Sequence, residues 1–231
     1  MRVVFVHGAC VRDGAWWWHP TGDLLAAAGV SSDSPLLPSC GESAAPVDGV
    51  GPGLAADVAA VRQVLTASDA PTVVVAHSYG GIVTAQAAAG VATVQHLLLI
   101  SSYLPEPGES LSSFGTEGPA PFLEVDPGSG TFTVRGHDLA GTFLQDCAPE
   151  VQAQARERLA RQSLSVLAEP VTASAWKHVP NTYLVCAQDR GTSAARQREY
   201  AARAGRVVEL HAGHHPFLSQ PAAVRDLVLG L

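Results

Sequence analysis

The sequence predicts an α/β protein, in which a mostly parallel sheet carries helices on both faces and a small helical segment is inserted into the alternation. Three observations carry that expectation. Short β-type runs alternate with helical patterns along most of the chain. Thr72 is followed by Val73, Val74, Val75 and Ala76 without a polar break, as a strand covered on both faces requires. Of the 231 residues, 47% are hydrophobic and only 15% charged, which excludes a disordered chain and supplies the apolar residues that a two-sided sheet consumes.

Taken in order, residues 3–7 read as the first strand, followed by a glycine-containing loop and a helix over 21–28 that Gly29 terminates. Residues 34–37 are a weaker strand candidate, interrupted by Pro35 and Pro38. Residues 41–53 read as loop. Leu54, Val58, Val61 and Leu65 fall at helical spacing and predict a helix over 54–67. Strand 72–76, helix 81–89 and strand 96–100 follow. Residues 103–169 break the rhythm, being Pro/Gly/Ser-rich through Gly130 and then helical, with Pro149 and Glu150 opening a helix that runs to about Leu167. The alternation resumes with strand 182–186, helix 194–204, strand 207–211 and helix 221–229. Because the irregular block lies between two strand–helix units, it reads as a cap inserted into a single domain spanning 1–231.

Composition narrows the function classes. Fourteen Lys and Arg face 21 Asp and Glu, for a net charge of −7 without a basic cluster, which argues against nucleic acid as a partner. No apolar run reaches the roughly 18 residues of a membrane span. Val3, Val4, Phe5 and Val6 are too short a run before His7 for a signal peptide, so a cytoplasmic location away from the membrane is expected. Cys10, Cys40, Cys147 and Cys186 are scattered with no C-x-x-C pair, which predicts reduced thiols and neither a metal site nor a disulfide framework. The alanine-rich, asparagine-poor composition reads as GC-rich, bacterial coding.

The most informative stretch runs from Val73 to Gly81. A hydrophobic strand leads through His77 directly into Ser78, and a helix begins at once. This is the context of a nucleophile elbow, in which a serine on a tight turn is presented above the sheet edge. Small residues are needed two positions before and after it, and Ala76 and Gly80 satisfy that need. A hydroxyl is a weak nucleophile and requires a general base, itself oriented by an acid. Strand 182–186 leads to Asp189, and strand 207–211 leads to Ala212, Gly213, His214 and His215. Three candidates at three strand ends, in the order Ser, Asp, His, form a joint signal. Two histidines compete for the base. His214 follows Gly213, which suits a turn, while His215 precedes Pro216, which biases it toward extended backbone, so spacing favours His214 only slightly. Asp146 is a rival acid within the cap, poorly placed to orient the base.

Acyl transfer develops negative charge on the former carbonyl oxygen, which needs backbone donors. One should be the Tyr79 N–H, directly after the nucleophile, at a helix N-terminus. The second should come from the loop after the first strand, where Gly8 permits close approach and Ala9 N–H is the candidate.

Together, His7-Gly8-Ala9-Cys10, Gly14-Ala15-Trp16-Trp17-Trp18 and His77-Ser78-Tyr79-Gly80-Gly81 resemble the α/β-hydrolase fold. Within it they resemble the branch of plant methylesterases and hydroxynitrile lyases with their bacterial relatives. Ser101 to Gly108 resembles that branch's approach to the cap, and His214 to Pro221 its closing motif, in which the first histidine is the base. The resemblance therefore implies a Ser78–His214–Asp189 triad. It also bears on the reaction, since hydroxynitrile lyases of this branch carry threonine in place of Gly8 and lysine in place of His215. Both are absent here, which favours an esterase acting on a small-molecule ester without cofactor or metal. The loop Val11-Arg12-Asp13 is longer than in the plant enzymes. Alternatives are a lyase or an acyl transferase on the same fold, or a ligand-binding protein without catalysis. Trp17, Cys10, Tyr103, Phe143 and His215 are the candidate substrate-binding residues, Cys10 as a small wall residue rather than a nucleophile.

Overall fold

With no polar side chain among them, Val3, Val4, Phe5 and Val6 are driven inward, and they form the buried strand β1 (Arg2–Val6). The computed structural model describes residues 1–41, 51–115 and 120–231. The further strands are β2 (Ser31–Asp33), β3 (Thr72–His77), β4 (Val94–Ile100), β5 (Leu123–Asp126), β6 (Thr131–Val134), β7 (Gln162–Ser163), β8 (Asn181–Cys186) and β9 (Arg206–Leu210). Six of them pair in parallel in the order β2-β1-β3-β4-β8-β9. The helices are α1 (Gly14–Ala27), α2 (Leu54–Thr66), α3 (Gly80–Ala87), α4 (Gly136–Phe143), α5 (Pro149–Arg156), α6 (Ser165–Ala168), α7 (Ala194–Ala201), α8 (Pro216–Ser219) and α9 (Pro221–Leu229).

Successive strand residues point to opposite faces, and the two cores separate accordingly. Val4, Val6, Val74, Ala76, Leu97 and Leu99 pack with Leu54, Val58, Val61 and Leu65 of α2. Val3, Phe5, Val73, Val75, Leu98 and Ile100 pack with Trp17, Trp18 and Leu25 of α1 and with Val224 and Val228 of α9. The apolar spacing read in α2 is thus its sheet-facing stripe.

Three elements differ from the sequence reading. Helix α1 begins at Gly14 rather than near residue 21 and runs through Pro20. Asp13 caps it, accepting from Trp16 N–H at 3.2 Å, and the His19 ring nitrogen meets the Trp16 carbonyl that Pro20 leaves without its helical donor. Strand β2 lies at Ser31–Asp33, not at 34–37; its three residues are all exposed, so no apolar pattern marks it. The helix expected from Pro149 to about Leu167 ends at Arg156, and the chain then forms β7. The loop expected at 41–53 falls mainly on 42–50, outside the described residues.

Between β4 and β8 the inserted segment carries, besides its short helices, an antiparallel sheet β5-β6-β7. Its last part is stitched to the main body by backbone hydrogen bonds. Ala160 N–H donates to Cys10 O and Arg12 N–H to Arg158 O, while Gly41 N–H donates to Arg161 O and Ser163 N–H to Ser39 O, all at 2.8–2.9 Å. Among the described residues, no helix is long and apolar enough to cross a membrane.

The chain leaves β1 toward β2 on one side and returns to β3 on the other. Such a reversal opens a crevice at the carboxyl ends of the two central strands, where ligands of open α/β sheets bind. The loop 7–10 and Ser78 sit at that crevice.

Candidate active site

β3 ends at His77, and Ser78 adopts φ 50°, a left-handed conformation uncommon outside glycine. The turn survives because its surroundings fix it. Ser102 Oγ donates to the Ser78 carbonyl at 2.6 Å. Gly80 lies so close to β1 that a Cβ there would stand 2.4 Å from Val6 O and 2.8 Å from His7 O. A Cβ on Gly81 would meet Ser102 Oγ at 2.2 Å. The small residue required two positions after the serine is therefore a packing requirement against β1.

Asp189 follows β8 and His214 follows β9, and the structure brings them together. His214 Nδ1 lies 2.6 Å from Asp189 Oδ2, with both side chains buried. The same oxygen accepts from Ser101 Oγ at 2.6 Å and from Gln197 Nε2 at 2.9 Å. The other oxygen accepts the N–H groups of Gly191 and Thr192 at 2.8 and 2.9 Å. Burial opposes ionisation of Asp189, but the His214 charge and hydrogen bond, Ser101 and the Thr192 N–H outweigh it, and the carboxyl is held below its ordinary range. His215 points elsewhere, its Nδ1 donating to Phe143 O at 3.1 Å. The cap carboxylate Asp146 does not meet His214; it accepts from Gly213 N–H and Ser219 Oγ, both at 2.7 Å, and so ties down the turn carrying His214. His77 Nε2 donates to the His214 carbonyl at 3.0 Å.

The three histidines His77, His214 and His215 face a cavity of about 650 Å³ between the sheet edge and the cap. Ala9, Ser78, Tyr79 and His214 line it, as do all five candidate substrate-binding residues, Cys10, Trp17, Tyr103, Phe143 and His215. Among the described residues, neither Ala9 N–H nor Tyr79 N–H donates to a protein group, whereas Cys10 N–H is taken by Gln162 Oε1 at 3.0 Å. Among the described residues, no Lys, Arg, Asp or Glu lines the cavity. The three tryptophans divide: Trp17 faces the cavity, Trp18 is buried between Phe5 and Phe217 with ring centroids at 4.5 and 3.9 Å, and Trp16 lies under Arg158.

Burial sets the remaining protonation states. It lowers His215 to about 3 and His7 to about 4, so both rings are neutral near pH 7. It pushes the Tyr103 hydroxyl and the Cys147 thiol up to about 12, and the Cys10 thiol higher still, so Cys10 carries no thiolate to attack with. Among the described residues, no group of three or more His, Cys, Asp or Glu is arranged to hold a metal ion.

Ser101, Ser102, Gln197 and Gln162 escaped the sequence reading. Only the first pair carried a usable signal: they follow β4 at the same carboxyl edge as Ser78.

A parallel sheet interrupted after β4, with a carboxylate–imidazole pair at the ends of β8 and β9, is the architecture of an α/β hydrolase. The chain belongs to the alpha/beta hydrolase family, which it matches over residues 3–227. The alpha/beta hydrolase nvfD of Aspergillus novofumigatus is 28% identical over 188 residues, covering 74% of this chain and 75% of that protein. Among solved structures, a pyrethroid hydrolase from Sphingobium faniae superposes with a TM-score of 0.84 at 21% identity, over 100% of this chain and 96% of that one. A methylesterase from Arabidopsis superposes with a TM-score of 0.79 at 20% identity, over 100% and 98% of the two chains. The latter falls in the branch that the sequence motifs resemble.

Proposed function

We propose that the protein is a serine carboxylic-ester hydrolase acting on a neutral, largely apolar ester. The observation that carries this reading is the buried His214–Asp189 pair, 2.6 Å apart, whose imidazole lines the same cavity as the elbow serine Ser78. Ser78 Oγ attacks the ester carbonyl while His214 Nε2 takes its proton. Asp189 holds Nδ1–H, fixing the tautomer and stabilising the imidazolium. Charge that develops on the carbonyl oxygen is met by the free N–H groups of Ala9 and Tyr79. Collapse expels the alcohol, which receives the proton from His214. Water, activated by the same imidazole, then hydrolyses the acyl-enzyme.

The cavity supports the substrate class. Its volume suits a drug-sized ligand, and its described walls carry no fixed charge to compensate an ionic substrate for lost hydration. A lyase that releases cyanide is disfavoured, because neutral His215 offers no cation to the departing anion. The test pairs a fluorophosphonate probe with an ester panel. The probe should label Ser78, and Ser78→Ala should abolish both labelling and hydrolysis of p-nitrophenyl esters. Full hydrolysis by Ser78→Ala refutes the reading.

A further inference from the structure

Beneath the elbow lies a carboxylate with no part in the steps above. Asp57, on α2, is fully buried, and burial raises its carboxyl pKa against the hydrogen bonds that favour its charge. Asp57 Oδ1 accepts from Ser39 N–H at 2.9 Å. Asp57 Oδ2 accepts from Ser39 Oγ at 2.6 Å and from Tyr79 Oη at 2.7 Å. Ser39 Oγ in turn accepts from Gln162 Nε2 at 2.9 Å, and Gln162 Oε1 accepts Cys10 N–H at 3.0 Å.

Every donor in this chain points toward the carboxylate. One arm runs Cys10 N–H, Gln162, Ser39, Asp57; the other is Tyr79 Oη to Asp57. The arms start from the two loops that carry the free N–H groups of the cavity, since Cys10 follows Ala9 and Tyr79 bears the other N–H. Gln162 belongs to β7 of the cap and is itself seated by the backbone bonds of Ser163 to Ser39 and Gly41 to Arg161.

We propose that Asp57 is a positioning residue, which through Tyr79 on one side and Ser39 with Gln162 on the other sets the separation of the Ala9 and Tyr79 N–H groups that bind the oxyanion. The assignment rests on the ester-hydrolase reading, for only there do these N–H groups act. An acceptor-only carboxylate suits the role because all three groups facing it donate. An amide there would turn an N–H₂ toward a hydroxyl, reversing one arm of the chain. No step of the reaction passes through Asp57, and a buried polar network with each member satisfied is the kind that fixes geometry.

The experiment compares wild type with Asp57→Asn and the milder Tyr79→Phe, which keeps the Asp57–Ser39–Gln162 arm intact. Two ligands are used: an aryl trifluoromethyl ketone, whose hemiketal with Ser78 places an oxyanion between the two N–H groups, and the corresponding neutral secondary alcohol, which fills the cavity without one. A fluorophosphonate titration first counts active serines, so that misfolded protein is removed from the comparison. Absence of labelling in the wild type would defeat the hydrolase reading itself, and with it the role assigned to Asp57. Given labelling, both variants should bind the ketone about tenfold or more weakly per active site, with kcat falling in parallel. KM and alcohol affinity should stay within about twofold. Ketone affinity within twofold of wild type in Tyr79→Phe overturns the proposal, as does equal weakening of ketone and alcohol. Should Asp57→Asn fail to fold, Tyr79→Phe decides alone.

Discussion

Replacing Gly80 with alanine adds one methyl group at the point where the elbow touches β1. The new Cβ would stand 2.4 Å from Val6 O and 2.8 Å from His7 O, whereas ordinary van der Waals contact begins near 3.4 Å. Both neighbours are backbone atoms in or next to a buried strand, so no side chain can rotate away and the strand end itself must retreat. Overpacking of this kind costs about 1–3 kcal/mol, and the absence of any flexible neighbour places this site at the upper end. Gly80 opens α3, so alanine recovers at most about 1 kcal/mol of helix propensity. The net loss is about 2 kcal/mol, which for a chain of this size lowers Tm by roughly 4–8 °C. Activity should suffer more, because retreat of β1 carries the loop bearing Ala9 with it, and a misplacement near 1 Å costs about 10²-fold. Thermal unfolding together with kcat/KM on a p-nitrophenyl ester measures both. Gly141 in α4 is the internal control: its Cβ would meet nothing within 4 Å, so Gly141→Ala should stabilise by up to about 1 kcal/mol. If Gly80→Ala matches wild type in Tm and kcat/KM, close approach to β1 is not what selects glycine there.

Acid should destabilise the fold once the pH falls below the ordinary histidine range. His7 and His215 are buried neutral, with values lowered to about 4 and about 3, and His77 is lowered as well, chiefly by burial. Below pH 6.5 the unfolded chain therefore binds protons that the native state refuses, and stability rises with pH across the window from about 4 to 6.5. His7 alone accounts for about 3 kcal/mol over that window, so urea midpoints should fall steadily from pH 7 to pH 5; a flat profile would contradict the burial of these rings. Asp146→Ala removes the acceptor for Gly213 N–H and Ser219 Oγ and should cost about 1.5–3 kcal/mol. It should also lower kcat by freeing the turn that carries His214, which steady-state kinetics would reveal. All four cysteines are buried. Ellman's reagent should accordingly react with them only after denaturation, and prompt reaction in the native protein would contradict their burial.

The legible parts of the fold were those whose cause is local. The valines of β3 announce a strand covered on both faces, and α2 shows its sheet-facing stripe in the sequence itself. β2 carries no such mark, for Ser31, Ser32 and Asp33 are held by pairing with β1 and by an Arg2–Asp33 contact at 3.2 Å. Pro20 concealed the first turns of α1, because its missing N–H is compensated by His19, three residues from the carbonyl it leaves open. β7 is two residues long and exists only through partners far away in the chain. The site divides in the same way. Ser78, Asp189 and His214 could be singled out as candidates because each lies just past the end of a recognisable strand. Ser101 and Gln197 reach Asp189 across 88 and 8 positions of sequence, and no spacing rule selects them from other polar residues.

The stitching of the cap to the main body has a consequence for how substrate range can change. Four backbone bonds join residues 158–163 to the loop after β1 and to residues 39–41, while Asp146 holds the turn before His214. A cap attached in this way is no interchangeable cassette, since exchanging it whole would release the loops that line the cavity. Divergence toward new substrates is channelled instead into cap side chains that line the cavity and make none of these bonds, such as Leu139 and Phe122, the latter packed against Phe143. Laboratory recombination of this chain with its relatives should keep its crossover points away from Asp146 and residues 158–163.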